Sequence, residues 1–504
     1  MTLLRDLLLL YINSLLFINP SIGENILVFL PTKTYSHFKP LEPLFQELAM
    51  RGHNVTVFSG FSLTKNISNY SSIVFSAEIE FVNIGMGNLR KQSRIYNWIY
   101  VHNELQNYFT QLISDNQLQE LLSNKDTQFD LIFIELYHVD GVFALSHRFN
   151  CPIIGLSFQP VLPIYNWLIG NPTTFSYIPH VYLPFTDIMS FWKRIINAVF
   201  SIFTAAFYNF VSTKGYQKHV DLLLRQTESP KLNIEELSES LSLILAEFHF
   251  SSAYTRPNLP NVIDIAGIHI QSPKPLPQDL LDFLDQSEHG VIYVSLGTLI
   301  DPIHTDHLGL NLINVFRKLR QRVIWKWKKE FFHDVPKNVL IGEWFPQIDI
   351  LNHPRCKLFI SHGGYHSMLE SIYSSVPILG IPFFTDQHHN TAIIEKLKIG
   401  KKASTEASEE DLLTAVKELL SNETFKRNSQ HQSSIFRDRP MSPMDTAIYW
   451  TEYILRYKGA SHMKSAVIDL YWFQYILLDI ILFYSLIVLI LLCILRIFFR
   501  MLTK

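Results

Sequence analysis

Cysteine is scarce in this chain: Cys151, Cys356 and Cys493 are the only three in 504 residues. That excludes a scaffold built from disulfides. Charge is scarce as well. Lys, Arg, Asp and Glu make up 17% of the residues, against about 25% in an ordinary soluble protein. Neither sign is in excess, with 43 basic and 45 acidic residues. The cationic surface that nucleic-acid phosphates require is therefore missing. What is abundant is apolar surface, at 48% of residues with a net charge of −2. Such a chain buries enough to fold, so disorder is excluded as its main state. Its length implies two or three domains at roughly 100–200 residues each.

Much of the apolar excess sits at the two ends. Residues 1–23 carry Arg5, an apolar run Leu7–Ile18, then Ser21 and Gly23. This is the order of a signal peptide, with cleavage expected after Gly23. At the other end Tyr475–Leu495 is apolar except for Asp479, and about 20 such residues cross a bilayer. Arg496, Arg500 and Lys504 follow in a tail of residues 496–504 and belong on the cytosolic side. The expectation is a single-pass type I protein of the endoplasmic reticulum membrane, its bulk in the lumen. Asn54-Val-Thr56, Asn66-Ile-Ser68, Asn69-Tyr-Ser71 and Asn422-Glu-Thr424 are glycosylation acceptors in sequence terms. Asn54 falls within an expected strand, where modification is not expected. Cys151 and Cys356 fall in separate halves and are expected to be free.

Between these ends an α/β pattern occurs twice. Asn25–Leu30 reads as a strand, a turn-rich Pro31–Ser36 follows, Phe38–Met50 reads as a helix, and Val55–Phe58 as the next strand. Strand, crossover helix and parallel strand make a βαβ unit. Leu131–Ile134 and Pro152–Leu156 continue it. After the Pro-rich Ser272–Pro277 the pattern restarts with strands at Val291–Leu296, Val323–Trp327, Leu340–Glu343, Leu358–Ser361 and Pro377–Ile381. The reading is an α/β fold of two doubly wound, Rossmann-like domains, residues 24–270 and 271–460, facing each other across a cleft. A juxtamembrane segment 461–474 and a transmembrane helix 475–495 follow. Chemistry belongs in the loops at the carboxyl ends of the strands. The apolar stretch Phe191–Val211 suits either a helix on the bilayer surface or a buried helix pair.

The second half holds the most informative loops. Ser361-His-Gly-Gly364 follows a strand and opens a helix, where glycine lets an anion approach backbone N–H groups. Trp344 offers a flat face, Gln347 an amide, Glu370 an acceptor two turns down the helix, and Asp386-Gln387 a pair of polar groups after the next strand. Each feature alone is commonplace; their order and spacing are specific. The run Trp344–Asn390 resembles the signature of the UDP-glycosyltransferases, and the whole chain resembles their membrane-bound animal branch. Asn171–Pro179 and Phe185–Trp192 are similar to arthropod members in particular.

That resemblance implies a GT-B fold and a set of site residues. Trp344 would stack on uracil and Gln347 hydrogen-bond it. His362, Gly364 and Ser367 would hold the diphosphate, with Ser295 and Thr298 in a second phosphate-side loop. Glu370 would take the ribose, and Asp386 and Gln387 the sugar. The family's base is a histidine after the first strand, which His37 matches. An imidazole there suits removal of a hydroxyl proton; His53, entering a strand, reads as structural. The carboxylate that orients the base falls at Glu135, with Asp140 as a rival. His366 stands where vertebrate members often carry Asn, which leaves a phosphate contact there open. Counting back from Arg256-Pro257, Glu247 stands where glucuronosyltransferases place an arginine, and it leans toward a neutral sugar.

The implied reaction is inverting transfer of a hexose, glucose by preference and glucuronate as the alternative, from a UDP-sugar to a small lipophilic acceptor, for clearance of xenobiotics or endogenous lipophiles. A UDP-sugar-binding protein without turnover is a second alternative. No Asp-x-Asp motif is present, so neither a metal nor another cofactor is expected, the UDP-sugar being a co-substrate. Homo-oligomers remain compatible with the sequence.

Overall fold

The computed structural model describes residues 23–76, 92–138, 140–225, 232–297, 306–332 and 334–503. The expected signal segment up to residue 22, and Thr298, lie outside the described residues.

Among the described residues two parallel sheets form. The first contains β1 (Asn25–Phe29), β2 (Asn54–Ser59), β3 (Tyr70–Val74), β4 (Leu131–Glu135), β5 (Ile153–Ser157), β6 (Leu241–Ala246) and β7 (Val262–Asp264), in the order β3-β2-β1-β4-β5-β6-β7. The second contains β8 (Val291–Ser295), β9 (Arg322–Lys326), β10 (Val339–Gly342), β11 (Cys356–Ser361), β12 (Ile378–Gly380) and β13 (Gly400–Lys402), in the order β10-β9-β8-β11-β12-β13. Every residue of β4, β5, β6 and β8 is buried. Helices cover both faces, so these strands read as unbroken apolar runs. In each sheet the winding direction reverses once, between β1 and β4 and between β8 and β11. A crevice opens at the carboxyl ends of the strands there, and the two crevices face one cleft.

The helices differ from the sequence reading in instructive ways. Helix α1 spans Tyr35–Met50 and starts three residues before the expected Phe38. Pro40 and Pro43 lie inside it and donate no backbone hydrogen bond. Its first turn is closed instead by the N–H groups of His37 and Phe38 on the Thr34 carbonyl, at 3.0 and 3.2 Å. His37 thus sits on a helical turn, not on the preceding loop.

Helix α2 (Phe191–Phe207) runs through one π turn into α3 (Thr213–Leu223). Its buried residues are Asn197, Phe200, Ser201 and Thr204, mostly polar, while Phe191, Trp192, Ile196, Val199 and Ile202 are exposed. The apolar side faces outward, the reverse of a water-facing helix. Asn197 is satisfied inside by the carbonyls of Phe175 and Ile178 and the N–H of His180.

Helices α4 (Tyr365–Tyr373) and α5 (Gln387–Lys396) cover the second sheet beside the cleft. Helix α6 (Pro443–Arg456) does not stay with the second domain, where the sequence places it. Ala447, Ile448 and Ile454 join the core that holds Ile26 and Val28 of β1 and Leu41, Leu44 and Leu48 of α1. The chain therefore crosses between the domains twice. The last helix, α7 (Leu478–Leu502), has no buried residue and is long and apolar enough to span a membrane. It extends seven residues past the expected Leu495, taking in Arg496 and Arg500, whose long stems tolerate an apolar flank.

The three cysteines are free, with Cys151 buried just before β5 and Cys356 buried at the start of β11. His53 is buried, and its Nδ1 accepts the Glu24 N–H at 3.3 Å, consistent with a structural part. Asn54 lies in β2, bonded to Asn25 through its side-chain amide at 3.0 Å.

Candidate active site

A cleft of about 580 Å³ runs between the sheets and is lined from both sides. On the first-domain side, β1 and β4 are neighbours, so their carboxyl ends bring residues a hundred positions apart into contact. Glu135 ends β4 and is fully buried. Its Oε1 lies 2.5 Å from His37 Nδ1. The Thr32 hydroxyl, just after β1, lies 2.6 and 2.8 Å from the two carboxylate oxygens. With a carboxylate as acceptor, Nδ1 carries the proton and Nε2 presents its lone pair. Phe158 stacks on the imidazole at 4.3 Å and 12°, and Tyr137 meets it edge-on. The ring is held through Nδ1 and by two aromatic neighbours, and lines the cleft.

Asp140 takes no part. It accepts from the hydroxyls of Tyr165 at 3.0 Å and Tyr208 at 2.5 Å, inside the helical layer of the first domain. Burial pushes its carboxyl up to about 6, against the two tyrosines that hold it down. The fold therefore binds this proton more tightly than the unfolded chain does. Stability falls as pH rises from about 4 to about 6, by about 3 kcal/mol, and stays lower above that. Asp140→Asn is expected to remove that difference while transfer activity remains. Thermal midpoints of both proteins between about pH 4 and 7 check the sign.

On the second-domain side, Ser295 ends β8 and Ser361 ends β11, again neighbours. His362 is packed by two glycines. A Cβ on Gly297 would approach its Nε2 to 2.9 Å, and one on Gly364 to 2.4 Å. Gly363 has φ +78° and faces Thr391, so it must be glycine for both conformation and space. Burial, aided by nearby Lys326, pushes His362 down to about 4. It is a neutral hydrogen-bonding group, not a cation. The N–H groups at the start of α4 open on the same space.

Gln347, Ser367 and Glu370 come together as expected. Gln347 donates from Nε2 to Glu370 at 2.7 Å and approaches Ser367 at 3.4 Å. Trp344 is 62% exposed, with Lys326 Nζ 4.6 Å from its ring centroid and Tyr35 edge-on. Asp386 accepts from Asn390 and Thr385 at 2.8 and 2.9 Å, and burial raises its pKa. Gln387 spends its Oε1 on the N–H groups of Phe383 and Phe384. Every described residue expected at the site therefore lines this cleft, apart from Glu135, which stands behind His37, and Asp140.

The sequence reading missed three groups. Thr32 anchors Glu135; its place directly after a strand was the available signal. Phe158, after β5, had none. The third is a contact across the domains: His366 Nε2 lies 2.7 Å from Glu247 Oε2. Burial alone would push His366 down, but the Glu247 carboxylate and its hydrogen bond outweigh that and raise it.

The family model described as UDP-glucoronosyl and UDP-glucosyl transferase matches residues 25–504. The chain belongs to this family. It is a UDP-glycosyltransferase, acting with a UDP-sugar donor and an acceptor substrate. UDP-glycosyltransferase UGT5 of Dactylopius coccus is 34% identical over 93% of this chain and 90% of its own length. UDP-glucosyltransferase 2 of the same insect is 33% identical over 92% and 90%. UDP-glucuronosyltransferase 2B7 of Homo sapiens is 30% identical over 89% and 87%. Among solved structures, the calicheamicin glycosyltransferase CalG4 aligns with TM-score 0.61 at 15% identity, covering 86% of this chain and 99% of its own. A UDP-glucosyltransferase from Polygonum tinctorium aligns with TM-score 0.59 at 14% identity over 86% and 99%. These place the UDP-glycosyltransferase in the GT-B fold, as two facing parallel sheets require.

Proposed function

We propose that this UDP-glycosyltransferase moves glucose from UDP-glucose to a hydroxyl of a small lipophilic acceptor, with inversion and without a metal. The observation that carries the reading is the His37–Glu135 pair at 2.5 Å, set across the cleft from the Ser361–Gly364 turn. His37 Nε2 takes the acceptor proton as the oxygen attacks the anomeric carbon. Glu135 stabilises the imidazolium that forms. UDP departs from the opposite face. It needs no proton, only charge stabilisation, which the N–H groups at the start of α4 and the neutral His362, Ser367 and Ser295 supply. Asp386 and Gln387 hold the sugar, and Glu370 the ribose.

Glucose is favoured because Glu247, where glucuronosyltransferases place an arginine, puts a buried carboxylate behind His366, 2.7 Å from its Nε2, in place of a guanidinium. A glucuronate carboxylate would find no guanidinium at this position to pair with. The naming of an insect relative as a UDP-glucosyltransferase supports the same choice. UDP release with UDP-glucose and with UDP-glucuronate, each with a panel of phenols and sterols, tests it. Acceptor-dependent release with UDP-glucose is expected; a preference for UDP-glucuronate would overturn the donor assignment.

Trp344 is the platform for uracil, with Lys326 behind it. Trp344→Ala is expected to raise the donor KM by about 10- to 100-fold, the worth of one stacked base, with a small change in kcat. Steady-state kinetics with varied UDP-sugar measures the split.

The protein is anchored in the endoplasmic reticulum membrane by α7, with its domains in the lumen. The outward apolar face of α2 rests on the bilayer surface, and lipophilic acceptors reach the cleft from there. The physiological role that fits is clearance of such compounds.

A further inference from the structure

Three side chains from three separate elements converge beside the cleft. Glu247 follows β6, His269 precedes the Pro-rich linker, and His366 lies in the first turn of α4. One ligand atom from each lies within 4.8 Å of the other two. Glu247 Oε2 is 2.7 Å from His366 Nε2 and 3.8 Å from His269 Nδ1. The Glu247 side chain is 1% exposed and that of His269 8%. Glu247 Oε1 and both ring nitrogens of His269 have no hydrogen-bond partner. A buried carboxylate oxygen and a buried imidazole without partners mark a place where something else binds.

We propose that Glu247, His269 and His366 form a binding site for one divalent transition-metal ion of the zinc class. Two imidazole nitrogens and a carboxylate oxygen suit Zn²⁺, whereas Mg²⁺ and Ca²⁺ require oxygen ligands. In a tetrahedral zinc site the ligand atoms stand about 3.3 Å apart, given bonds of about 2.0–2.1 Å. The contacts of 2.7 and 3.8 Å straddle that spacing. His269, bound by no hydrogen bond, is able to rotate inward. Its far nitrogen, Nε2, lies 3.5 Å from Glu370 Oε1. A zinc-bound histidine commonly donates its other N–H to such a carboxylate. The ion takes the place of the proton that Glu247 and His366 share. The fourth position opens on the cleft. The transfer chemistry proposed above does not pass through this site. An ion bound there neutralises Glu247, so the preference for glucose argued from its charge belongs to the metal-free protein.

The test uses the full-length protein in detergent, stripped with a chelator and titrated with ZnCl₂ against a chromophoric chelator. One tight equivalent is expected, with none for MgCl₂. Glu247→Gln and His366→Asn should each weaken it at least about tenfold, and Glu370→Gln by about tenfold as a supporting residue. Loading with Co²⁺ should give the visible bands of a four-coordinate ion, absent in both ligand variants. Thermal midpoints report whether each variant is folded; if Glu247→Gln is not, His269→Gln and His366→Asn carry the test. Zinc binding unchanged in folded variants, or no tight equivalent in the parent protein, overturns the proposal.

Discussion

Replacing His37 with alanine is expected to lower kcat by about 10²- to 10⁴-fold, the range a positioned general base contributes. The donor KM should hardly move, because the uracil, ribose and diphosphate groups are proposed to sit in the second domain. A hydroxyl acceptor is too weak an acid to attack without losing its proton in the transition state. Water is a far weaker base than imidazole and is not held in place by Glu135, so it replaces His37 poorly. Single-turnover rates with saturating UDP-sugar, beside a direct measurement of UDP affinity, separate the two effects. Full activity in His37→Ala would mean that another group takes the proton.

Glu135→Gln is expected to be about as damaging, by about 10²- to 10⁴-fold in kcat. The side chain keeps its size, and Thr32 can still hydrogen-bond it. What changes is the proton. An amide N–H facing Nδ1 at 2.5 Å forces that nitrogen to become the acceptor. The proton then moves to Nε2, and the base has no lone pair to offer. Glu135→Asp keeps the charge but withdraws it by one methylene, so an intermediate loss is expected. The pH–rate profile discriminates further, because loss of the carboxylate removes the support of the imidazolium. Asp140→Asn, measured beside them, should leave kcat near that of the parent.

Much of this site was legible because its residues follow strands. His37 and Glu135 lie after β1 and at the end of β4, and strand adjacency brings them together. The turn Ser361–Gly364 was legible for the same reason. The choice between Glu135 and Asp140 was not. Five residues separate them, and only the three-dimensional path shows Asp140 turning into the helical layer toward Tyr165 and Tyr208. The early start of α1 was hidden by Pro40 and Pro43, which ordinarily mark a helix boundary. The meeting of Glu247, His269 and His366 had no local signal, because it depends on how two domains face each other. The apolar run at Phe191 was ambiguous by composition alone; burial of Asn197, Ser201 and Thr204 decides which side faces in.

The return of α6 to the first domain sets an order of events during synthesis. A ribosome makes the first sheet early, yet the layer that covers part of β1 and α1 is encoded some 400 positions later. Until residues 443–456 emerge, the nascent first half shows an uncovered apolar strip where Ala447, Ile448 and Ile454 will lie. The N-terminal half is thus not a free-standing folding unit. A chain stopped after the second sheet, before α6, should be recognised by chaperones as incomplete even though both of its sheets are present.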